Sequence, residues 1–328
     1  MKLTRIGLVI ATVAALALTA CSSGAPANEA ATAAPGGAFP AKVDTKFGTV
    51  TIDAAPKRIV ALGWGDAETV LALGGQPVGA SDWLGFGGDG VGPWANGLYK
   101  ESPKIIETLK PDYEAIAALK PDLILDVKSS GDETRHERLA SIAPTIGVPK
   151  GGDSYLTSMD QQTTMIAQAL GKADEGKRLL AAVDAEYQAA AAAHPEWKGK
   201  TVAAATRTSE GWGAYIDGSE RVTFLERLGF VQSPKIAALK PNASGFSVDI
   251  STEQLDQLDA DLLVAFPIFI DTKQITDDPL FKLIPAVADG RSVVIDGDLS
   301  AAYSLGTTLA ASYAIAHVVP LIASALKS

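Results

Sequence analysis

The aromatic side chains of this sequence are few, and they are concentrated where predicted β-strands end. Aromatic residues make up only 6% of the 328 residues, so their positions are informative. Residues 82–94 contain five glycines and three aromatic residues, which is poor core material. Aromatic faces at such a place bind the apolar skeleton of a ligand. The candidates are Trp64, Trp83, Phe86, Trp94, Trp212 and Tyr215, with Tyr303 and Phe269 as weaker ones. The alternative is an insertion whose tryptophans only cover the surface.

Basic side chains follow predicted strands in both halves of the chain. Lys128 and Arg135 come just after the apolar run 123–127, and Arg207 follows the run 201–206. The guanidinium group of arginine can hold an anionic oxygen with two N–H donors. Because strand ends in α/β proteins meet at ligand sites, we expect these cations to line one cleft. The alternative for each of them is a solvated surface charge.

Sequence features of metal sites and of common enzyme sites are missing. His136, His194 and His317 are scattered, and the one cysteine cannot form an intrachain disulfide or a cysteine-based metal site. No GxxxxGK[ST] phosphate loop or GxSxG nucleophile motif occurs, since Ser304 lacks the first glycine of the latter. The formal net charge of −10 argues against nucleic-acid binding. We therefore expect no metal ligands, no cofactor and no enzyme.

Short apolar runs alternate with helical patterns along residues 41–328. This alternation predicts an α/β fold of two Rossmann-like lobes with mostly parallel sheets, because buried parallel strands need helices on both faces. Asp66 is predicted to cap the first helix, and one closing helix is predicted from Tyr303 to about Leu326, accommodating Pro320. The predicted strands are 58–62, 77–80, 123–127, 145–148, 201–206, 261–266 and 292–296, and the other helices are 66–73, 112–119, 133–142 and 221–228.

One long helix is predicted to separate the lobes. Residues 173–193 lack proline and carry one apolar stripe, and the pattern ends at His194-Pro195. A helix of about 20 residues is about 30 Å long, enough to join two lobes stiffly. The domains would be an N-terminal lobe over 41–172, the connecting helix over 173–194 and a C-terminal lobe over 195–328. A weak repeat at an offset of 139 residues, between 113–125 and 252–264, suggests lobes of similar build.

The first forty residues have the pattern of an exported, anchored protein. Residues 1–20 carry Lys2 and Arg5 before an uncharged stretch, which is typical of a signal peptide. The segment Leu18-Thr19-Ala20-Cys21 resembles a bacterial lipobox, which implies cleavage before Cys21 and lipid attachment to its thiol. Cleavage would leave a formal charge of −12. Cys21 and the Ser, Gly, Ala and Pro-rich linker span residues 21–40. No second long apolar segment is expected, so the folded part should be soluble.

The predicted segments follow one another as signal peptide, lipobox, linker, lobe, long helix and lobe. This order resembles that of the substrate-binding lipoproteins of ABC importers for iron–siderophores and cobalamin. The ferric-siderophore binders of actinobacteria fit better, on the Trp83–Trp94 segment and on Ile142-Ala-Pro-Thr145. The other segments that carry the resemblance are 47–50, 56–60, Glu68 with Leu73-Gly74, 77–79, 114–124, 228–230, 251–253 and 258–263.

The resemblance implies an extracytoplasmic monomer that captures a ferric siderophore in a cleft between the lobes and delivers it to an ABC permease dimer. It would touch the membrane only through the lipid. The cargo would be a ferric chelate whose iron is already fully ligated. Glu114 and Glu253, equivalent in the repeat, match the family glutamates that bind permease arginines. Without the resemblance, each could simply favour the dipole of its helix. Haem, cobalamin or another metal chelate stays an open alternative cargo, and Tyr215 or Tyr303 could serve haem as an axial ligand. An envelope enzyme is a remote alternative.

Overall fold

Two β-sheets, one from each half of the chain, organise the structure, a computed structural model that describes residues 38–327. The predicted signal peptide, Cys21 and all but the last three residues of the predicted linker lie outside the described residues. The first sheet has five strands in the order β5-β4-β3-β6-β7, and a separate hairpin pairs β1 with β2. The strands of this lobe are β1 (Ala41–Thr45), β2 (Gly48–Ile52), β3 (Ile59–Ala61), β4 (Pro77–Ser81), β5 (Lys104–Ile106), β6 (Leu123–Leu125) and β7 (Thr145–Ile146).

All neighbouring strands of the first sheet run parallel. Helices on both faces bury the apolar side chains of β3 and β6, which are inaccessible to solvent. The predicted helices of this lobe are present, and the sequence pattern missed α4, which a capping box between Ser158 and Gln161 starts. The helices are α1 (Asp66–Ala72), α2 (Tyr113–Ala118), α3 (Glu133–Ala140) and α4 (Met159–Ala169), with a 3₁₀ turn at Pro93–Ala95.

The long helix is present as predicted, as α5 (Ala173–Ala193). Leu179 packs on the core of the first lobe, and Val183 and Tyr187 are buried in the core of the second. One helix therefore contributes to both hydrophobic cores, which makes it a stiff connector. The two-lobe α/β fold predicted from the sequence is confirmed, and the domain boundaries proposed above stay predictions.

The second sheet has the order β11-β9-β8-β12-β13, with the short β10 beside β8. Strands β8, β10, β12 and β13 pair in parallel, whereas β9 and β11 are antiparallel to their neighbours. This sheet is therefore mixed. Its elements are β8 (Thr201–Thr208), β9 (Gly211–Tyr215), α6 (Glu220–Arg227), β10 (Val231–Gln232), α7 (Pro234–Ala237), β11 (Ser247–Ile250), β12 (Leu262–Pro267), α8 (Lys273–Thr276), α9 (Pro285–Ala288) and β13 (Ser292–Val294), with 3₁₀ helices at Pro195–Trp197, Thr252–Leu258 and Phe281–Leu283.

The single closing helix of the sequence prediction is two helices, α10 (Gly297–Leu305) and α11 (Thr308–Ala325). Gly306 ends α10 in the left-handed region with φ 65°, and Thr307 caps α11 by accepting from the N–H of Ala310. Pro320 is accommodated within α11. By length and composition α11 could cross a membrane, which corrects the expectation of no second apolar segment. Half of it is buried in the protein, as in a core helix.

The weak internal repeat has a structural basis. The carboxylate of Asp122 accepts hydrogen bonds of 2.8 Å from the main-chain N–H groups of Lys57 and Arg58, at the start of β3. The equivalent residue of the second lobe, Asp261, accepts one of 2.7 Å from the N–H of Thr201, at the start of β8. In both lobes this aspartate joins the helix–strand unit to the central strand. The aspartate shared by the two segments therefore has the same structural role in both lobes.

Candidate functional site

A cavity of about 450 Å³ lies between the glycine-rich segment of the first lobe and the strand ends of the second. This volume is within the roughly 300–1,000 Å³ of sites for small ligands. The first lobe contributes Trp83 and Leu84, and the rest of the lining comes from the second lobe. The other apolar lining residues include Phe266, Pro267, Ile268, Phe269 and Ile270, and the polar ones are Arg221, Thr272, Asp296, Ser300 and Ser304.

Stacked aromatic rings hold the indole of Trp83 at the cavity. The ring of Trp64 lies between those of Trp83 and Tyr155, with both centroid distances 4.0 Å. Phe246 of the second lobe closes the stack edge-on to Trp64, at 6.0 Å. Trp64 sits where β3 ends, as the sequence predicted, but it is 92% buried and supports Trp83 from behind. Trp83 is therefore the tryptophan that lines the cavity.

The buried carboxylate of Glu68 fixes the far end of the glycine-rich segment. It accepts hydrogen bonds from the indole N–H of Trp94 at 2.8 Å and from the main-chain N–H of Gly92 at 3.2 Å. The hydroxyl of Thr307, in the second lobe, donates to it at 2.7 Å. Burial raises the pKa of Glu68 above its usual value, and these donors oppose that shift. Trp94 thus anchors the glycine-rich segment to Glu68. This role differs both from that of a residue in a loosely attached insertion and from that of a residue facing a ligand.

Phe86 lies between the cavity and this anchor. Its ring packs edge-on against Trp94 at 5.7 Å, and it lines a small recess next to Trp83 that Asp82 also lines. Asp82 accepts from the N–H groups of Phe86 and Gly87, which folds the segment back on itself. Phe86 therefore shapes the wall beside Trp83.

The sequence analysis missed the cation of the cavity, Arg221. It is 5% exposed at the start of α6, with its guanidinium 4.5 Å from the ring centre of Tyr215 and 5.7 Å from that of Trp83. Its Nε–H is buried without a hydrogen-bond partner. Within residues 38–327 no carboxylate lies within 4.0 Å of its guanidinium nitrogens. Aromatic faces hold this buried charge beside the cavity.

The two cations predicted in the first lobe are already paired. Arg135 forms two hydrogen bonds to the carboxylate of Asp126, at 2.7 and 3.0 Å, and a third to the carbonyl of Thr108. Lys128 lies 3.7 Å from Glu220 and donates to the carbonyl of Leu305, both in the second lobe. Burial lowers the pKa of Lys128, and Glu220 opposes that shift. Neither residue lines the cavity, so their expected place there is corrected.

Asp66, predicted as a helix cap, also has a different role. The cap position is Gly65, and Asp66 is the first residue of α1. Its carboxylate accepts from the main-chain N–H groups of Gly63 and Val127 and from the amide of Gln162. It thereby joins the ends of β3 and β6 to α4. Burial raises the pKa of Asp66 to about 6.

Trp212 and Arg207 lie on the other side of the second sheet. Trp212 is in β9 rather than in a loop, and it stacks on Phe281 at 5.2 Å. Arg207 lies over the ring of Trp212, 5.8 Å from its centre. Side chains alternate between the faces of a strand, so Trp212 and Tyr215, three residues apart, point to opposite faces. Trp212 and Arg207 are not among the cavity-lining residues, which corrects the expectation that they share one groove with Trp83.

The two candidate tyrosines are buried beneath the cavity. Tyr215 packs against Phe266 at 5.7 Å and supports the guanidinium of Arg221. Tyr303 is 1% exposed and donates from its hydroxyl to the carbonyl of Arg221 at 2.5 Å. Tyr303 is therefore a core residue, and its hydroxyl is already engaged. In contrast, the weaker candidate Phe269 is 81% exposed at the cavity rim.

Each histidine stacks on an aromatic ring in a different part of the molecule. His136 lies against Phe47, and burial lowers the pKa of His136. His194 stacks on Trp197 at 4.0 Å, and His317 stacks on Tyr313 at 4.2 Å. The three rings therefore do not form one site.

The two glutamates predicted to bind a permease are exposed. Glu114 lies in the first turn of α2, which Asp112 caps with its carboxylate. Glu253 lies in the first turn of the 3₁₀ helix Thr252–Leu258. The structure therefore places both at equivalent positions of the repeat, one on each lobe. Their binding to a permease stays a prediction.

Three features were not recognised from the sequence at all: Arg221, Tyr155 and Phe246. Arg221 follows β9 closely, so the rule that selected Arg207 could have selected it too. Tyr155 lies after β7 and Phe246 just before β11, in segments without a helical or strand pattern. The backbone of Tyr155 is left-handed, with φ 61°. Tyr155 reaches Trp64 through the folding of the first lobe, and Phe246 reaches it from the second lobe, so neither contact leaves a signal in the sequence.

A two-lobe α/β fold with a cavity between the lobes defines a class of binding proteins, and sequence comparison agrees. Residues 59–299 match the model of the periplasmic binding protein family. The chain belongs to this family.

Two curated relatives are named for the binding of a siderophore or of ferric citrate. The chain is 32% identical over 261 residues to the "Probable siderophore-binding lipoprotein YfiY" of Bacillus subtilis, which covers 75% of this chain and 76% of that protein. It is 29% identical over 262 residues to the Fe(3+)-citrate-binding protein YfmC of the same organism, covering 76% of each. These names confirm the resemblance to iron–siderophore binding proteins.

Solved structures agree with the fold. A periplasmic solute binding protein of Mycobacterium smegmatis superimposes with a TM-score of 0.74 at 26% identity, over 87% of this chain and 98% of that one. The Streptococcus pneumoniae protein PiaA in complex with ferrichrome gives a TM-score of 0.72 at 27% identity, with the same coverage.

Proposed function

We propose that this protein captures a ferric siderophore outside the cytoplasm and delivers it to an ABC importer. The observation that carries the proposal is the cavity between the lobes, where Trp83, Phe269 and the unpaired Arg221 meet. Aromatic faces complement an organic chelate skeleton, and the guanidinium complements the oxygens around the iron. The names of relatives that bind siderophores or ferric citrate support the same cargo.

The site is suited to a preassembled chelate rather than to bare iron. Iron in a siderophore already has its ligands, so the receptor needs donors toward those oxygens and apolar contacts to the skeleton. Of the described lining residues, Arg221 offers N–H donors to those oxygens. The hydroxyl of Thr272 already donates to Asp296, the carboxylate among these residues, and the hydroxyl of Ser300 donates to the carbonyl of Gly297. Haem and cobalamin are the other cargoes considered. Tyr303 does not favour haem, because its hydroxyl already donates to a carbonyl.

Tryptophan fluorescence tests this function directly. A ferric siderophore should quench the emission of the protein, and free ferric ion should quench it much less, because the chelate stacks on Trp83. Trp83→Phe should remove much of the quenching and weaken the affinity by a few-fold, because phenylalanine keeps an aromatic face but a smaller one. Trp212→Phe is the matched control and should leave the affinity unchanged.

Equal responses to the chelate and to free iron would contradict the proposal. Quenching by haem or cobalamin, with no response to ferric siderophores, would assign a different cargo to the same cavity.

Delivery would use Glu114 and Glu253, one exposed carboxylate on each lobe. The two carboxylates would pair with basic residues of a permease. They would thereby fix the orientation in which the protein docks and steer its encounter with the permease. Lipid attachment at Cys21 would hold a monomer at the outer face of the membrane, close to the permease. The resemblance in sequence supports these roles.

The double variant Glu114→Ala with Glu253→Ala separates docking from capture. It should bind the ferric siderophore as the wild type does but abolish iron uptake in cells, because both carboxylates are exposed and remote from the cavity lining. A matched control is Glu101→Ala with Asp277→Ala, which removes one exposed acid from each lobe. Normal uptake by the first variant, or an equal loss in the control, would rule out the docking role.

A further inference from the structure

The charges around the cavity cancel. Two charged side chains, Arg221 and Asp296, are among the described residues that line it, and they have opposite sign. Lys128 pairs with Glu220, the residue before Arg221 in the chain, and this buried pair is also neutral. The cavity is therefore an electroneutral surface with a locally positive point at Arg221.

This neutrality limits the charge that a bound chelate can bring. Placing a polyanion in an apolar, partly enclosed site removes its hydration, and each charge without a partner is costly there. One guanidinium can balance about one negative charge, and the carboxylate of Asp296 in the same lining repels an anion. A polyanionic chelate would need several cations, whereas Lys128 and Arg135 are committed to Glu220 and Asp126.

We propose that the cargo is an electroneutral ferric chelate of the trihydroxamate class, held by stacking on Trp83 and by donation from Arg221 to the oxygens of one hydroxamate. This inference rests on the proposed function and names the cargo within it. In a ferric trihydroxamate the hydroxamate charges balance the ferric charge, so the complex has no net charge. Its oxygens keep partial negative charge and accept from a guanidinium without requiring a second cation.

The apolar part of the cavity fits the same cargo. Trihydroxamates have long aliphatic spacers between their hydroxamate groups, and Leu84, Phe269 and Ile270 supply an apolar rim for them. The hydroxyl oxygens of Ser300 and Ser304 can accept hydrogen bonds from the amide N–H groups of such a skeleton. Citrate complexes offer almost no apolar surface, so this rim would be unused by them.

The test is a fluorescence titration of the mature protein with four chelates chosen to separate charge from shape. The neutral probes are ferrichrome and the N-acetylated form of ferrioxamine B, which have a cyclic and a linear skeleton. The anionic probes are ferric citrate and ferric enterobactin, which have carboxylate and catecholate ligands. The tighter-binding neutral chelate should bind at least about tenfold more tightly than either anionic chelate, since an extra unpaired buried charge costs this much or more.

Failure of this inference and failure of the proposed function give different results. If an anionic chelate binds within tenfold of the better neutral one, or more tightly, the cargo class is wrong and siderophore capture stands. If the folded protein binds none of the four, both are overturned.

Variants at two residues, Arg221 and Asp296, test the charges themselves. Arg221→Met should weaken binding of the neutral chelates by about 10- to 100-fold, as expected for the loss of a hydrogen bond to a charged donor, and Arg221→Lys should weaken it less. Asp296→Asn keeps an acceptor for Thr272 and should improve the affinity for ferric citrate relative to ferrichrome by about tenfold. Asp298→Asn is the control, because this exposed residue does not line the cavity. An unchanged ratio in Asp296→Asn would overturn the charge argument even if the Arg221 variants do not fold.

Discussion

The buried cations of the two lobes have different kinds of neighbours. In the first lobe, Arg135 has three hydrogen bonds, two of them to Asp126, and Lys128 is 3.7 Å from Glu220. In the second lobe, Arg221 is buried to the same degree but has aromatic rings as neighbours and no carboxylate partner in the described chain. A buried charge is normally paired, so an unpaired one next to a cavity indicates a ligand. The contrast indicates that the first pair of cations stabilises the fold, and it supports the proposal that Arg221 binds the ligand.

The largest expected effect is the loss of stability when Arg135 is replaced. Arg135→Met leaves the carboxylate of Asp126 buried without its partner, so the free energy of unfolding should fall by about 3–5 kcal/mol. Arg221→Met removes a buried charge without leaving a buried carboxylate unpaired. It should therefore change the free energy of unfolding by less than about 1 kcal/mol. Urea unfolding of both variants without ligand measures the two values. Similar losses in the two variants would remove the distinction between the lobes.

The next effect concerns pH and the buried carboxylate of Asp66. Burial raises the pKa of Asp66 to about 6 from 3.8, so between these values the folded protein holds a proton that the unfolded chain has lost. Stability therefore falls as pH rises from about 4 to about 6, by about 3 kcal/mol in total, and stays lower above that range. Asp66→Asn should lack this part of the pH dependence.

The measurement is the difference in pH profile between the wild type and Asp66→Asn, since Glu68 also has a raised pKa and contributes equally to both. Binding of the ferric chelate should not follow the same profile, because Asp66 does not line the cavity. Identical profiles for the two proteins would show that Asp66 is not the titrating group.

Much of the fold could be predicted from local patterns. The apolar runs at β3, β6, β8 and β12 and the uninterrupted helical pattern of α5 are local signals, and the structure has each of these elements. The repeat was visible because Asp122 and Asp261 make the same kind of hydrogen bond, to main-chain N–H groups at the start of a central strand, in both lobes. The break between α10 and α11 could also have been predicted, because Gly306 followed by Thr307 is a helix stop and a helix cap.

The site was harder to predict, because it depends on which face of an element a residue occupies. Trp212 and Arg207 have the right residue types, but strand geometry turns them toward Phe281. Lys128 and Arg135 lie at the predicted strand end, but their carboxylate partners are distant in sequence or on another element. Arg221 is identified only when Trp83 of one lobe and Tyr215 of the other are brought together. Pairing of charges across lobes has no local sequence signal.

A crystal structure of the protein with bound ferrichrome would test the account most directly. We expect the chelate to lie between Trp83 and Phe269, with an iron-coordinating oxygen within hydrogen-bonding distance of the guanidinium of Arg221. A chelate seated instead on the face that carries Trp212 and Arg207, or one that makes no contact with Arg221, would contradict it.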